Sequence, residues 1–585
     1  MKPFPIGSGR RSPMPDISRL RMVKNQVESD EAIVATMHPL ASQAGADVLR
    51  RGGNAVDAAV AAGFAIGVVE PFNSGLGGIA QMVIRDGSTG RAVVIDGTSI
   101  LPRRVDPGRY PLAGSGTAGM YGWPAVEGDA NNTGYLAPAV PGTPACLCEA
   151  HRRFGRLPLA EVIGPAIDAA RAGYELDWHP ALVFAAQQQR LSQFPGSRAN
   201  YFRSDGTCYA PALFNNDGER LAQPDLADSL EAIARGGVDG FYRGEPARWI
   251  AAAMAEHGGW IDLDEFARYR VRVWDKPLRG SYRGHDTIQA PENTGAPTVL
   301  QALRLLEGFD VAQSGAGTAT TFHLIAESLR LAFLDRFEYL ADPSFVPVPF
   351  DALTSTEYAR VRRAAIDPHR ARLDATAGDP WPLSSARPGM VATGGGAGEG
   401  NTTHLVVCDR ERTLVSLTST LGAYFGSGVV APGTGFALNN GLTWFDPRPN
   451  RANSIAPGKR ILWAGTPTIV EREGRPFLAT GAPGGRRILS AIVQVISNVV
   501  DFGIEPQDAV SVARVHCEGG ETSIDRAAGE TAIEGLRAMG HQIVVKDDGP
   551  GISNFARPLA IVVDPITGRL RAGVHAWNPA TAIGL

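Results

Sequence analysis

The chain has 585 residues, a formal net charge of −4, 44% hydrophobic residues and 20% charged residues, which are ordinary proportions for a globular protein. A charge this close to zero gives no reason to expect a nucleic-acid or membrane partner, and no stretch approaches the roughly 20 consecutive apolar residues of a membrane span. The cysteines are odd in number and irregularly spaced, so they indicate neither a disulfide framework nor a zinc site: Cys146, Cys148, Cys208, Cys408 and Cys517.

The first part of the chain predicts a tail followed by alternating strands and helices. Residues 1–30 are rich in Pro, Ser and Arg and lack the apolar core of a secretory signal, so we expect a mobile tail and a cytoplasmic protein. The predicted elements that follow are a strand at 33–37, a helix at 40–51 closed by Gly52-Gly53, an Ala-rich helix at 55–68, a glycine turn at 75–78 and a hairpin over 80–95.

A long irregular insertion occupies residues 103–139. It contains many glycines and prolines together with the aromatic residues Tyr110, Tyr121, Trp123 and Tyr135. A loop this long in a compact protein is usually functional or disordered, and the aromatics favour a role in lining a pocket or a subunit contact. Beyond the insertion, residues 363–400 are typical of a surface linker, and helical periodicity is found at 158–172, 223–235, 245–256, 296–307 and 319–335.

A hairpin is predicted after the linker. Residues 404–408 (HLVVC) and 414–420 (LVSLTST) are rich in β-branched and apolar types, and a polar run separates them. With the turn centred on Glu411, Thr402 lies opposite Thr420, which places their Cβ atoms roughly 5 Å apart.

This pairing suits an enzyme with an N-terminal threonine. A glycine-rich spacer precedes Thr402, so the Asn401–Thr402 peptide can bend until the Thr402 hydroxyl attacks its own carbonyl. The α-amine freed by hydrolysis has a pKa near ~8 and can act as general base, while Thr420 hydrogen-bonds the Thr402 hydroxyl and orients it. On spacing alone, a solvated sheet face remains the alternative.

A second hairpin is predicted at 466–480, followed by a glycine-rich turn into a helix at 486–500. Gly484 and Gly485 stand at the helix N-terminus, where backbone N–H groups point outward as a developing oxyanion requires. On the residues alone, an ordinary strand-to-helix turn is the alternative.

Several motifs occur in the order found in one family. GNTTH, TSTLGAYFGSGVVAPGTGFALNN, PTIV and TGAPGG resemble the small subunit of the gamma-glutamyltransferase family, whose members are self-processing N-terminal nucleophile hydrolases. Upstream, ATMHPLASQAGADVLRRGGNAVDAAVAAGFAIGVVEP, GLGG, VPGT and AFLDRFEYLADPSFVP resemble its large subunit. The resemblance covers nearly the whole chain from about residue 31.

The resemblance implies an α+β fold, namely a four-layer αββα sandwich. It also implies autocleavage into a large subunit, residues 31–401, and a small catalytic subunit, residues 402–585. Thr402 is then the nucleophile, and Gly484 and Gly485 match the oxyanion-hole pair. The implied partners are a small-molecule amide substrate and the chain's own cleaved subunit, with a dimer of heterodimers left open, and the mechanism needs no cofactor or metal.

The substrate pocket departs from the family pattern. The family binds the α-carboxylate of a gamma-glutamyl group with an arginine and two serines, and the α-amino group with an asparagine, a glutamine or glutamate, and an aspartate. When the flanking motifs are aligned, Thr98 stands at the position of the arginine, and Trp463 and Ala464 stand at those of the two serines. Gly422 stands at the position of the asparagine. Gly441 and Trp444, which follow Asn440, stand at the positions of the glutamine or glutamate and of the aspartate. An uncompensated buried charge is costly, so glutathione should be a poor substrate and the acyl group small, planar or uncharged at its far end.

Four functions follow from these observations. The first is an amidase or acylase, resembling the oxamate amidohydrolase or cephalosporin acylase branches of the family. The second is a gamma-glutamyl hydrolase or transpeptidase whose pocket uses other residues, such as Arg103, Arg104 or the 103–139 insertion. The third is a binding protein without turnover. The fourth is a metal enzyme using His38, Asp57 and His404, which lack a recognised ligand spacing.

Overall fold

The computed structural model describes residues 22–118, 123–213, 217–387 and 400–585. Residues 1–21 of the predicted tail, Tyr121 and residues 388–399 of the predicted linker lie outside the described residues. The strands are β1 (Val27–Ser29), β2 (Ile33–Thr36), β3 (Ile79–Arg85), β4 (Ala92–Gly97), β5 (Leu112–Ala118), β6 (Trp123–Val126), β7 (Tyr174–Glu175), β8 (Arg220–Leu221), β9 (Arg272–Trp274), β10 (Leu278–Tyr282), β11 (His285–Gln289), β12 (Asn401–Cys408), β13 (Leu414–Gly422), β14 (Thr468–Arg472), β15 (Arg475–Gly481), β16 (Val515–Cys517), β17 (Glu521–Asp525), β18 (Gln542–Lys546), β19 (Leu559–Val563), β20 (Leu570–Val574) and β21 (Thr581–Gly584). The α-helices are α1 (Pro39–Arg50), α2 (Ala55–Val69), α3 (Thr143–Phe154), α4 (Leu159–Ala172), α5 (Trp178–Leu191), α6 (Pro195–Tyr201), α7 (Pro224–Gly236), α8 (Val238–Tyr242), α9 (Glu245–His257), α10 (Leu263–Arg268), α11 (Ala296–Leu306), α12 (Val311–Ser314), α13 (Ala319–Tyr339), α14 (Phe350–Leu353), α15 (Thr356–Arg363), α16 (Arg487–Phe502), α17 (Pro506–Ser511) and α18 (Glu530–Ala538).

Two antiparallel sheets form the centre of the molecule. The described strands of one sheet have the order β1-β20-β19-β15-β14-β11-β10, and those of the other have the order β21-β2-β12-β13-β3-β4-β9. Strands β12 and β13 contact β15 across the space between the sheets. The predicted hairpin therefore lies in the middle of the protein, with both neighbours paired.

Helix α2 packs against β12 and β13. All of its residues are buried, as expected from its nearly continuous Ala, Val and Ile content. Asn54 and Asp57 form a capping box at its start, which supplies partners for two otherwise unpaired N–H groups. The helix ends at Glu70, and this end brings the Glu70 carboxyl beside the start of β12.

The predicted register of the central hairpin is confirmed along most of its length. Thr403 pairs with Ser419, as a turn centred on Glu411 requires. The turn is fixed by Asp409, whose Oδ1 accepts from the N–H groups of Glu411 and Thr413 at 3.0 Å each. A local side-chain cap of this kind holds a tight turn in one conformation.

The register changes at the end of the hairpin that matters for chemistry. Asn401 pairs with Gly422, so the pairing shifts between Asn401 and Thr403. Thr402 therefore occupies an irregularity where ladder bonding is interrupted, and such bulges re-aim side chains near functional sites. The regular pairing of Thr402 with Thr420 that the sequence predicts is replaced by this bulge.

The remaining predicted elements are found within a few residues of their expected bounds. The strand at 33–37 is β2, the hairpins are β3–β4 and β14–β15, and the predicted helices are α1, α2, α4, α7, α9, α11, α13 and α16. The insertion at 103–139 contains the hairpin β5–β6. The boundary of the predicted tail at residue 30 is corrected, because Val27–Ser29 pairs with β20 at the edge of a sheet.

The predicted surface linker is anchored to the rest of the protein in its first part. Three acidic side chains of α13 and α14 hold its backbone N–H groups: Glu327 accepts from Arg372 at 3.2 Å, and Asp335 from Gly378 at 2.8 Å. Asp351 accepts from the N–H of residue 385 at 2.7 Å. The chain is thus anchored up to that point.

Within the described ranges, each helix is too short or too polar to act as a membrane-spanning segment.

Candidate active site

The proposed cleavage point lies at the start of β12, beside Thr420. Thr402 is 6% exposed and Thr420 is 2% exposed. The Thr420 hydroxyl donates a hydrogen bond to the carbonyl oxygen of Asn401, and the N–H of Gly422 donates to the Thr420 hydroxyl at 2.8 Å. The sequence predicted a bond from Thr420 to the Thr402 hydroxyl. In the uncut chain Thr420 instead holds the carbonyl of the peptide that precedes Thr402, because the bulge turns that carbonyl toward β13.

Thr403 points to the opposite face of β12 and meets the end of α2. Its hydroxyl donates to Glu70 Oε2 at 2.9 Å. Burial raises the pKa of Glu70 to about 7, although the hydrogen bond from Thr403 acts in the opposite direction. A buried carboxyl that titrates near neutral pH can hold or release a proton on this face of β12, next to the residue that follows Thr402. Nothing in the sequence pattern marks Glu70, since it follows an apolar helix and resembles an ordinary residue at a helix C-terminus.

His404 is a packing residue between the two sheets. Its Nδ1 lies 3.0 Å from the Thr418 hydroxyl, and burial lowers its pKa to about 3, so the ring is neutral at physiological pH. A Cβ on Gly481 of β15 would lie 2.2 Å from the His404 ring. A glycine is therefore required at that position, and the ring fills the space between the sheets.

The glycine turn after β15 adopts a conformation that few other residues tolerate. Gly484 has φ = 138° and Gly485 has φ = 60°, and a Cβ on Gly484 would lie 2.7 Å from the Ala556 Cα. Within the described chain, neither the Gly484 nor the Gly485 N–H donates a hydrogen bond. Both donors stand just before α16 and are available to an oxyanion.

The predicted pocket residues Gly422 and Asn440 contact each other. Gly422 has φ = 102°, and a Cβ there would lie 2.0 Å from Asn440 Oδ1 and 3.4 Å from the Trp444 ring. Both ends of the Asn440 amide take part in the fold, because Oδ1 accepts from the Ala423 N–H at 3.1 Å and Nδ2 donates to Asn132.

Trp444 and Trp463 lie in one apolar cluster, being 3% and 2% exposed. Most of the remaining members come from the insertion and from the chain around the two tryptophans, and include Leu101, Val105, Tyr110, Trp123, Val126, Ala139, Leu442 and Ile461. Residues of the insertion therefore pack in the same cluster as the two tryptophans. The Trp463 indole N–H is buried without a hydrogen-bond partner among the described residues.

The other predicted pocket residues differ in their surroundings. The Thr98 carbonyl accepts from Tyr269 at 3.0 Å and from Arg460 at 3.2 Å, and its buried hydroxyl has no partner within the described ranges. Gly441 packs against Ala139, where a Cβ would lie 2.3 Å from the alanine Cβ. Ala464 belongs to a different core cluster, so the structure does not bring its side chain to the tryptophans.

The residues proposed for the metal-enzyme alternative have separate structural roles. His38 caps α1 by accepting from the Leu40 N–H at 3.2 Å, Asp57 caps α2, and His404 packs between the sheets. Of the residues proposed for a substitute gamma-glutamyl pocket, Arg104 pairs with Asp262 at the surface.

A different histidine cluster lies far along the chain from these residues. His323, Glu327 and His541 are buried with ligand atoms within 4.8 Å of one another. The His323 Nε2 donates to the Asp367 carbonyl at 2.7 Å, so its Nδ1 accepts from the His541 Nε2 at 2.8 Å. Glu327 is paired with Arg330 at 3.0 Å. All four ring nitrogens have hydrogen-bond partners, since His541 Nδ1 lies 3.1 Å from a threonine hydroxyl.

Known proteins match this chain along nearly its full length. A model of the family described as Gamma-glutamyltranspeptidase matches residues 41–581. The chain belongs to the gamma-glutamyltranspeptidase family. It is 38% identical over 543 residues to the Acylase ACY 1 proenzyme of Pseudomonas sp. (strain SE83), which covers 91% of this chain and 90% of that protein. It is 32% identical over 559 residues to the Glutathione hydrolase proenzyme of Bacillus subtilis (strain 168), and the match covers 95% of this chain and 92% of that protein.

The structural comparison gives the same result. The crystal structure of cephalosporin acylase from Bacillus halodurans superposes with a TM-score of 0.84 at 28% identity and covers 98% of this chain and 99% of that chain. The predicted resemblance and the α+β fold are confirmed. The prediction of an enzyme of the gamma-glutamyltranspeptidase family, a hydrolase or acyltransferase, is confirmed as well.

Proposed function

We propose that the protein cleaves itself before Thr402 and then hydrolyses an amide bond through an acyl-enzyme on the Thr402 hydroxyl. The observation that carries this proposal is the hydrogen bond from Thr420 to the Asn401 carbonyl. A hydroxyl that donates to the carbonyl of the scissile peptide polarises it toward attack and stabilises the oxyanion that forms.

Self-cleavage proceeds from this geometry in two steps. The Thr402 hydroxyl attacks the Asn401 carbonyl carbon, the C–N bond breaks, and the α-amine of Thr402 takes up the proton. Water then hydrolyses the resulting ester, which leaves a carboxylate on Asn401 and a free N-terminal threonine. Thr403 and Glu70 fix the backbone on the other face of β12.

Turnover uses the new N-terminus. The α-amine, with a pKa near ~8, accepts the proton of the Thr402 hydroxyl as it attacks the substrate carbonyl. The N–H groups of Gly484 and Gly485 bind the tetrahedral oxyanion, and the protonated amine then delivers its proton to the leaving amine. Water, activated by the same amine, releases the acid.

The acyl group is proposed to be one other than a standard gamma-glutamyl group. Gly422, Trp444 and Trp463 offer no charged group, and the Asn440 amide is already engaged. A site without partners for a carboxylate and an ammonium loses on the order of 10²- to 10⁴-fold in discrimination for a substrate that carries both. These features support an acylase-like substrate over glutathione, in line with the names of the acylase relatives.

The subunit division and the layering follow from the same proposal. Cleavage between Asn401 and Thr402 gives a large piece, residues 1–401, and a small subunit, residues 402–585. The packing of α2 on β12 and of α16 on β15 supports a four-layer αββα arrangement. All the site residues named here belong to one copy of the chain, so a dimer of heterodimers would assemble complete sites.

The test is the intact mass of freshly purified wild-type protein, Thr402→Ala and Thr403→Ala. We expect two pieces that meet at Asn401/Thr402 in the wild type and in Thr403→Ala, and one intact chain in Thr402→Ala. A screen of amides then compares uncharged acyl groups with a gamma-glutamyl anilide. An uncut wild-type chain would contradict self-processing, and a gamma-glutamyl rate that exceeds all others would contradict the proposed acyl group.

A further inference from the structure

Arg557 is a buried cation that forms no salt bridge with a carboxylate in the described part of the chain. The residue is 6% exposed. Its Nη1 donates to His179 Nε2 at 3.3 Å, and its Nε is buried with no hydrogen-bond partner among the described residues. Buried arginines are normally paired with an anion, because an unpaired buried charge is strongly unfavourable. A binding partner from outside the chain would complete this site.

Arg557 lies between the glycine turn and the residue after Thr402. Its N–H donates to the Pro483 carbonyl at 3.0 Å, and the preceding alanine packs on Gly484. On the other side, Arg557 interacts electrostatically with Glu70, which accepts from Thr403 at 2.9 Å. Arg557 is thus tied to both elements that flank the proposed nucleophile.

The groups around Arg557 carry charges of both signs. Arg514 and Arg557 both interact with Asp548, whose pKa is raised to about 6 by burial although both arginines lower it, and Arg557 also interacts with Glu70. His575 beside them is neutral, since burial and Arg514 hold its pKa well below the usual range. Burial and, to a smaller extent, Arg557 lower the pKa of Lys24 to about 8. Neither Asp548 nor Glu70 forms a salt bridge with Arg557 in the described part of the chain, so a carboxylate that reached the unpaired Nε–H of Arg557 would be attracted strongly in this low-dielectric region.

We propose that Arg557 binds a carboxylate of the substrate on its leaving-amine side. This inference rests on the proposed function. The acyl side of the site is walled by Gly422, Trp444 and Trp463, which carry no charge, so a charged substrate group has no partner there. Arg557 lies instead beside the glycine turn and offers a planar guanidinium with an unpaired Nε–H. This geometry binds carboxylates well.

The test uses two matched amides of the best acyl group from the screen, one of 4-aminobenzoate and one of 4-aminobenzamide. The proteins are wild type, Arg557→Gln, Arg557→Lys and, as a control, Arg569→Gln, which removes a half-exposed arginine that pairs with Glu28 and Asp30. We expect wild type and the control to prefer the carboxylate amide in kcat/KM. The preference should fall about 10- to 100-fold in Arg557→Gln and partly return in Arg557→Lys.

Two further measurements separate the possible failures. Intact mass shows whether each variant has folded and cleaved itself. Benzoate should raise the Tm of wild type more than benzamide does, and this difference should vanish in Arg557→Gln. A wild type that cleaves neither amide would contradict the proposed function alone, and the benzoate measurement would then decide the role of Arg557.

Two results would overturn the inference. An Arg557→Gln protein that keeps the full preference for the carboxylate amide, with the benzoate effect intact, rules out carboxylate binding by Arg557. The second result is that Arg557→Gln loses only a preference on the acyl side, between the anilide of glutaric acid, whose acyl group ends in a carboxylate, and the anilide of butyric acid, whose acyl group does not. That result refutes carboxylate binding on the leaving-amine side and places the carboxylate on the acyl side.

Discussion

Replacing Thr420 by valine separates a structural role of its hydroxyl from a role in self-cleavage. Valine keeps the shape of threonine but removes the donor to the Asn401 carbonyl and the acceptor for the Gly422 N–H. If the hydroxyl only holds the strand end, the loss is about 0.5–1.5 kcal/mol, or roughly two- to thirteenfold in rate. If it stabilises the developing oxyanion, the loss is about 10²- to 10³-fold. We expect the larger effect, because the donor is already aimed at the scissile carbonyl.

The assay follows cleavage after synthesis. A short pulse of cell-free translation gives uncut chain, and the uncut fraction is measured by intact mass over time. Thr420→Ser should restore most of the rate. Ser419→Ala is the matched control on the same strand, since its hydroxyl donates to the Ile79 carbonyl at 2.9 Å and takes no part in the reaction. A Thr420→Val rate within about tenfold of wild type would refute the oxyanion argument.

Three other predictions concern stability and metal content. Gly422→Ala should lower the free energy of unfolding by at least about 1–2 kcal/mol in urea titrations, because of its left-handed backbone and its closeness to Asn440; an unchanged midpoint would contradict this. Burial raises the pKa of Glu70 from 4.5 to about 7. Its contribution to the free energy of unfolding is therefore fully present below pH 4.5 and is lost as the pH rises through 7, which lowers the free energy of unfolding by up to about 3 kcal/mol. Glu70→Gln should remove that part of the pH dependence, and parallel pH profiles of the two proteins would refute it. Incubation with EDTA should leave the Tm unchanged, because the ring nitrogens of His323 and His541 are engaged in hydrogen bonds; a lower Tm would reveal a bound metal.

The sequence predicted the parts of the fold that depend on local pattern. The hairpin register followed from β-branched runs around a polar turn, and Asp409 fixes that turn as the composition suggests. The helices with clear periodicity were placed within a few residues. The resemblance supplied the family, which the residues alone left open.

Features that depend on long-range contacts were not predictable. The bulge at Thr402 arises where β12 leaves its pairing with β13, and nothing in the local pattern marks it. The anchoring of the linker depends on acidic side chains of α13 that look like ordinary helix residues in the sequence. Arg557 stands in an unremarkable loop before β19, and only its burial without a carboxylate distinguishes it.

The strand order has a consequence for how the protein folds and persists. Residues before and after Asn401 contribute strands to both central sheets, since β2, β3 and β4 flank β12 and β13 in one, and β1 and β11 border β20 and β14 in the other. The uncut chain can reach this interleaved arrangement as a single molecule. After cleavage, two separate polypeptides would have to find each other and rebuild both sheets, so recovery would depend on concentration. The mature protein would then owe its lifetime to slow unfolding rather than to ready refolding.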